Sequence, residues 1–429
     1  MKLAKLSLAA IVAAGAMTTF ASAAPLEEAI KGVEVSGMVR YRWATNNKSK
    51  YGASTPYAAS SDYFRWSIPV TFVMPVAENL TAGFGYNFDN KVNGKTDVAK
   101  AGEPNSPKFW FKYATPDYSL RVGRFEISSP WTESGYAGTR GQGFLGTLNM
   151  VENWTFAAAY FASIAGIDNG VWNIPFALGK GSDDAKAWYT KMNNDTGEDF
   201  TNINGSNDLY AFAAIGSVGP VNLQAWYSKM QQVFKSAVFV QADVAYEGFS
   251  LKAQANQLKL DDTTKKFVEA GVFSKDKGTF WGTEAGFAMN GFSIGAGFTQ
   301  NDKKMPIYSL DDDNDGMIKA GWQMYYHTTN AFAARNIFVK AGYAFDQYRV
   351  NVGFVDASAY QQADKQGDKV KARETYIDAG YKYSKNFDLS VHYSMFDSRQ
   401  SDAVGFTNGL SGYYDKDNNE FKFQALYSF

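Results

Sequence analysis

The chain contains no cysteine and only two histidines, His327 and His392, in 429 residues. Disulfides and thiolate metal sites are thereby excluded, and there is no histidine cluster to hold a metal. Nor does any stretch approach the roughly 20 consecutive apolar residues that a membrane-spanning helix requires. Acidic and basic residues nearly cancel, 43 against 42, so nucleic acid is not an expected partner. No glycine-rich phosphate loop is present either.

What the chain does have begins at its first residues. Lys2 and Lys5 make a positive start, Leu6 to Met17 is a short apolar run, and Ala21-Ser22-Ala23 supplies small residues at the positions a signal peptidase reads. Residues 1–23 are expected to be a signal peptide, with a mature chain from Ala24 forming one domain over 24–429. Aromatic residues make up 16% of the chain and glycines number 39, yet mean hydropathy is −0.32. A chain this aromatic and still hydrophilic must place many polar residues somewhere large, and a water-filled lumen would hold them.

The final stretch, Asn419 to Phe429, sets the pattern. Phe421, Phe423, Ala425, Tyr427 and Phe429 fall on one face of a strand; Glu420, Lys422, Gln424 and Ser428 fall on the other. Aromatics at both ends of a lean apolar band are the profile of a transmembrane β-strand. The same alternation runs through Val33–Ala44, where Val35, Val39, Tyr41 and Trp43 oppose Ser36, Arg40 and Arg42. It recurs in Asp62–Met74, Leu80–Phe88, Lys108–Thr115, Val221–Tyr227, Val238–Tyr246, Phe249–Ala255, Ile337–Phe345, Tyr348–Phe354 and Phe387–Met395. Short turns, such as Glu247-Gly248, Asn290-Gly291 and Asp346-Gln347, alternate with long polar segments: Thr45–Ser61, Lys91–Ser106, Glu126–Gly141, Ala165–Asn207, Asp302–Ala334 and Ser398–Asn418. The expected fold is all-β, a transmembrane antiparallel β-barrel of about eighteen strands with short periplasmic turns and long outer loops. Lys266–Ser274 and Ile318–His327 could add two strands, at the cost of an unusually long periplasmic turn. A soluble β-protein is the competing class, but it would pack large side chains mid-strand rather than gather them at strand ends.

At this point the residues resemble a known family. M-K-L-A-K-L-S-L, the mature start P-L-E-E-A-I-K, V-S-G-M-V-R-Y-R, the V-G-R-F, P-W-T-E and G-T-R-G-Q-G run in the middle, and the closing F-Q-A-L-Y-S-F are similar to the Campylobacter-type major outer-membrane porins. The resemblance implies an eighteen-stranded barrel, usually trimeric. It also implies a pore for passive diffusion of ions and small hydrophilic solutes in the outer membrane of a Gram-negative bacterium. The partners that follow are outer-membrane lipid and lipopolysaccharide, the barrel-assembly machinery and further copies of the chain. An outer-membrane barrel enzyme, and an adhesin or receptor acting through the long loops, are the alternatives; no enzymatic activity is expected.

Three groups of residues could carry function. The third outer loop, Glu126–Gly141, is where a porin folds inward. Its Glu126 and Glu133, with Trp131 and Tyr136 as bulky walls, would face Arg40, Arg42, Arg65, Lys112 and Arg121 on the polar face of the first five strands. An acidic loop opposite a basic wall sets a transverse field across a narrow aqueous slot. Asp311, Asp313, Asp315 and Gly316 form D-x-D-x-D-G, a spacing of hard oxygen ligands that suits Ca²⁺, although the position of the bidentate Glu in a full EF-hand loop is Trp322. No cofactor is required; Ca²⁺ in an outer loop is the one candidate, against a plain solvated acidic loop. Asp388, Ser390, His392 and Ser394 share a strand face, but a Ser-His-Asp site also needs an oriented base and an oxyanion hole. Lumen lining is the expected role.

Overall fold

A computed structural model of the chain describes residues 32–50, 58–93, 104–132, 139–165, 208–269, 273–307, 316–322, 332–360, 369–400 and 416–429. Residues 1–23, Glu133, Tyr136, Asp311, Asp313 and Asp315 lie outside the described residues. Eighteen strands form one sheet: β1 (Glu34–Lys50), β2 (Ala58–Ala77), β3 (Leu80–Asn93), β4 (Pro104–Ala114), β5 (Tyr118–Glu126), β6 (Arg140–Leu148), β7 (Trp154–Ala165), β8 (Leu209–Val218), β9 (Val221–Met230), β10 (Phe234–Tyr246), β11 (Phe249–Leu260), β12 (Lys277–Met289), β13 (Phe292–Asn301), β14 (Phe332–Phe345), β15 (Tyr348–Tyr360), β16 (Lys369–Lys382), β17 (Phe387–Gln400) and β18 (Lys416–Ser428). Sequence neighbours pair antiparallel, and β1 pairs with both β2 and β18, so the sheet closes on itself. Of the two segments that a twenty-strand reading needs, one forms a single helical turn, α1 (Lys266–Glu269). The other is irregular over 316–322.

Closure is made by the first and last strands through thirteen register pairs, from Met38↔Ser428 to Lys50↔Lys416. Beyond them the backbones of Gly37 and Phe429 exchange two hydrogen bonds, at 3.0 and 3.1 Å. In hydrocarbon each unpaired backbone group costs several kcal/mol, so an open edge is not tolerated there. The register also sorts the side chains. Val39↔Tyr427, Tyr41↔Ala425 and Trp43↔Phe423 sit on one face, and Arg40↔Leu426, Arg42↔Gln424 and Ala44↔Lys422 on the other. A slip of one residue would turn the arginines toward lipid.

Burial is inverted relative to a soluble sheet. Phe109, Phe111, Phe212 and Val339 are exposed on the outside, whereas Ser67, Asn87, Lys108, Gln254, Asn336, Glu374 and His392 are buried inside. Short turns join strands at one end. Glu247-Gly248 and Asn290-Gly291 have positive φ at both residues, 48° and 85°, 51° and 83°. These are the hairpin turns whose twist matches the sheet. At the other end the ladder runs beyond the alternation: β1 continues to Lys50 and β2 starts at Ala58, inside the stretch expected as the loop Thr45–Ser61. Backbone pairing needs no apolar face, so strands persist past the apolar band as polar hairpins.

The lumen is not lined by polar groups alone. Phe125, Phe161, Phe239 and Phe280 point inward and are almost fully buried, in one cluster with Trp110, Ile127, Trp131, Met305 and Met317. Large side chains lie flat on this inner wall where a glycine makes room. A Cβ at Gly83 would stand 2.3 Å from the Trp110 ring, and one at Gly353 would stand 2.2 Å from the Tyr376 ring.

Candidate pore constriction

The chain leaves the wall after Glu126. The Ile127 N–H donates to the Thr139 carbonyl at 2.8 Å, which closes the neck of the third loop. Within it, the Thr132 hydroxyl donates to the Ile127 carbonyl at 2.8 Å, and the Ser129 N–H donates to the Thr132 hydroxyl at 2.9 Å. This compact turn carries Trp131 across the interior. Its indole meets Phe239 on the inner face of β10 edge-on, with centroids 6.4 Å apart. The first residues of the third loop therefore turn inward, with Trp131 against the inner face of β10.

A second segment, 316–322, also lies inside the barrel. The Gln254 side chain on β11 grips it twice: the amide donates to the Gly316 carbonyl at 2.8 Å and accepts from the Ile318 N–H at 2.7 Å. At the far end the Trp322 N–H donates to the buried carboxylate of Glu374 at 3.0 Å. The Trp322 indole rests on two register partners of the wall, His392 (centroids 4.1 Å apart) and the Lys422 ammonium (4.0 Å). Gly321 takes φ +75°, and a Cβ there would stand 2.3 Å from Glu374 Oε2. The two segments touch: a Cβ on Gly316 would stand 2.4 Å from Pro130 Cα.

Charged side chains line the same interior. Arg40 is buried in the wall with Nη2 donating to Ser67 Oγ at 3.3 Å, and Arg42 Nε donates to Gln424 Oε1 at 2.8 Å. Arg65 stands opposite Arg42 in the β1–β2 register. Glu126 accepts a 2.7 Å charge-assisted bond from Lys108, which also donates to Thr71 at 2.8 Å. Arg121 lies under the apolar cluster, its guanidinium 4.8 Å from the Trp110 centroid and 5.3 Å from that of Phe125. Lys112 is its register partner, two residues from the short-turn end of β4. Arg40, Arg42 and Arg65 thus share the inner wall of β1 and β2, Glu126 and Trp131 sit where the third loop leaves the wall, and Lys112 lies toward one mouth. Lys108, Lys422, Trp322 and Glu374 belong to the same interior, although none of them is among the constriction residues expected from the sequence. Lys108 carries the parity of Lys112, and Lys422 the polar parity of the closing strand, so both could have been included.

The Ser-His-Asp arrangement does not assemble. Asp388 is held by Arg349 in a bidentate pair at 2.6 and 2.8 Å, and His392 Nδ1 instead bonds Asp378 on β16. Among the described residues no group of acidic or histidine side chains is arranged to hold a metal.

The architecture is shared with solved structures, among them an outer membrane protein of Pseudomonas aeruginosa. Pseudomonas aeruginosa OpdK with vanillate is 12% identical over 92% of this chain and 98% of its own, with a TM-score of 0.64. P. aeruginosa OpdQ is 9% identical over 92% and 99%, at 0.62, and Acinetobacter baumannii OccAB4 is 11% identical over 92% and 98%, at 0.60. At such identity the likeness is one of fold. No curated sequence matches the chain. The family model of the Campylobacter major outer membrane protein, however, matches residues 1–429. With a closed eighteen-strand barrel, an apolar exterior and charged groups on its inner wall, the chain belongs to that family and is a porin of the Gram-negative outer membrane.

Proposed function

We propose that this porin passes ions and small hydrophilic solutes by passive diffusion, and that the meeting of 127–132 with 316–322 sets the narrowest part of the path. The approach of Gly316 to Pro130 is the observation that carries this reading. Charges in a wide aqueous channel are screened within about 8–10 Å at ordinary ionic strength. They gain influence where the path is narrow and low-dielectric walls focus the field. Arg40, Arg42 and Arg65 form the basic side of that path, joined by Lys422, while Glu126 and Glu133 supply the acidic side; Lys112 and Arg121 extend the basic arc below. The chain acts without catalysis, as a homotrimer, inserted by the barrel-assembly machinery among outer-membrane lipids and lipopolysaccharide. Ca²⁺ held by Asp311, Asp313 and Asp315 stiffens the outer loop that leads into 316–322.

Purified protein in a planar bilayer tests this reading. Stepwise ohmic conductance is expected. In a salt gradient, Glu133→Gln moves the reversal potential toward anions and Arg42→Gln moves it toward cations. Shortening the loop between Ser128 and Arg140 raises single-channel conductance. Three variants indistinguishable from wild type would place the constriction elsewhere, and a silent bilayer would end the pore reading altogether.

A further inference from the structure

On the outside of the barrel, opposite the lumen, one part of the wall changes character over a single step of two residues. Val339, Phe354 and Met395 are exposed side chains of one register row across β14, β15 and β17, facing lipid. The next row of the same parity holds Ile337, Asp356, Arg373 and Asp397, and the one after it Arg335, Ser358 and Lys371. These rows lie at the strand ends away from the Asp346-Gln347 turn, which is the outer side of the membrane. Aromatics mark the same level. Trp281 is exposed and packs tilted against Phe298 with centroids 4.8 Å apart, and the Arg335 guanidinium stands 5.5 Å over the Phe298 ring. Trp and Arg at this step define the interface between hydrocarbon and headgroups.

The cationic rows form a concavity of about 470 Å³, lined by Arg335, Lys369, Lys371 and Arg373 against Asp356 and Asp397. Arg373 donates to Asp356 at 3.0 Å, which orients its guanidinium within the surface. Cations on the lipid face of a barrel are costly at mid-membrane and cease to be so only near the interface. An excess of cations there, in a hollow rather than on a ridge, calls for an anion from the membrane side. Guanidinium and ammonium groups recognise phosphate with charge-assisted hydrogen bonds, arginine in bidentate fashion.

We propose that this hollow is a binding site for the phosphorylated glycolipid headgroup of the outer leaflet, with Arg335, Lys369, Lys371 and Arg373 contacting a lipid A phosphate. The proposal gives a place to the lipopolysaccharide partnership put forward above, and it is independent of the pore constriction.

The test uses the full barrel in phosphatidylcholine nanodiscs, titrated with diphosphoryl lipid A and followed by native mass spectrometry. The variant Lys371→Gln/Arg373→Gln is expected to bind at least about tenfold more weakly, since it loses two of the four cations that face the anionic headgroup. Lys385→Gln, in the turn at the opposite end of the barrel, should bind as wild type does. Lipid A stripped of its phosphates should bind wild type no better than the double variant binds the intact lipid. Conductance of both variants should match wild type, which separates this site from the pore. Equal binding by wild type and the double variant overturns the site while leaving the partnership. Absence of any binding overturns both. Equal binding of the dephosphorylated lipid, an equal loss in Lys385→Gln, or displacement by millimolar inorganic phosphate would each also defeat the assignment.

Discussion

Trp322 and Lys422, a hundred positions apart, meet inside the barrel with the ammonium 4.0 Å from the indole centroid. Lys422 is itself held by Glu420 at 3.3 Å. The contact fastens the inner segment of a long outer loop to the closing strand, where a cation over an indole is worth about 0.5–2 kcal/mol. Trp322→Ala is expected to release 316–322 from β17 and β18. Single-channel conductance should rise and become noisier, and the barrel should lose about 1–3 kcal/mol, less than for a fully buried Trp because Trp322 is only partly buried. Quiet channels at wild-type conductance would show that Gln254 and Glu374 hold the segment without the indole.

The Lys108–Glu126 pair makes a second prediction. Lys108 is buried and Glu126 is about one-third exposed, at 8% and 32%. Lys108→Met leaves the Glu126 charge without its partner at the root of the third loop. The reversal potential should move toward cations, and Lys108→Met/Glu126→Gln should bring it back. The stability cost should be about 1–3 kcal/mol, below that of a fully buried broken pair because water reaches Glu126. A reversal potential unmoved by Lys108→Met would mean that Glu126 lies off the ion path.

Phe429 ends the closing strand, with its backbone bonded to Gly37 and its ring against the place where a Gly37 Cβ would stand, at 2.8 Å. Deleting it, or replacing it with a charged residue, should reduce the amount of heat-modifiable, detergent-resistant barrel in membranes. Any barrel that forms should conduct normally. Wild-type yields from the deletion would refute this.

Calcium binding at Asp311, Asp313 and Asp315 should appear as heat in isothermal titration that vanishes in the triple Asn variant. Protease cleavage of that loop should slow when Ca²⁺ is added. A flat titration with unchanged cleavage leaves a solvated acidic loop.

Much of the wall could be read from period-2 alternation, because a lipid-facing strand must segregate its residues at every second position. Val39, Tyr41 and Trp43 against Arg40 and Arg42 state the register before any partner is known, and Glu247-Gly248 marks its hairpin by residue type. The interior was less legible. Phe161, Phe239 and Phe280 occupy lumen-facing parity, where alternation calls for polar groups, and are buried in a cluster with residues of connecting segments such as Ile127, Trp131, Met305 and Met317. Nothing local encodes that burial. The Trp322–Lys422 contact and the Gln254 grip on Gly316 and Ile318 join residues far apart in sequence, and the same peptide read alone suggests a strand. Lys108 was visible as an inward lysine, but its pairing with Glu126 depends on where the chain leaves β5.

A barrel wall is one sheet thick, and a tube of that kind can flatten as well as widen. Here the interior is bridged by an unbroken run of contacts: Phe239 on β10, Trp131, Pro130, Gly316, the chain to Trp322, and Lys422 on β18. That run is a strut between opposite walls. Packed protein resists compression, so sideways pressure from the bilayer on one wall is carried to the other instead of ovalising the cross-section. Bore and outline are then mechanically tied: a change that loosens the strut alters the shape the membrane feels along with the opening the solute meets.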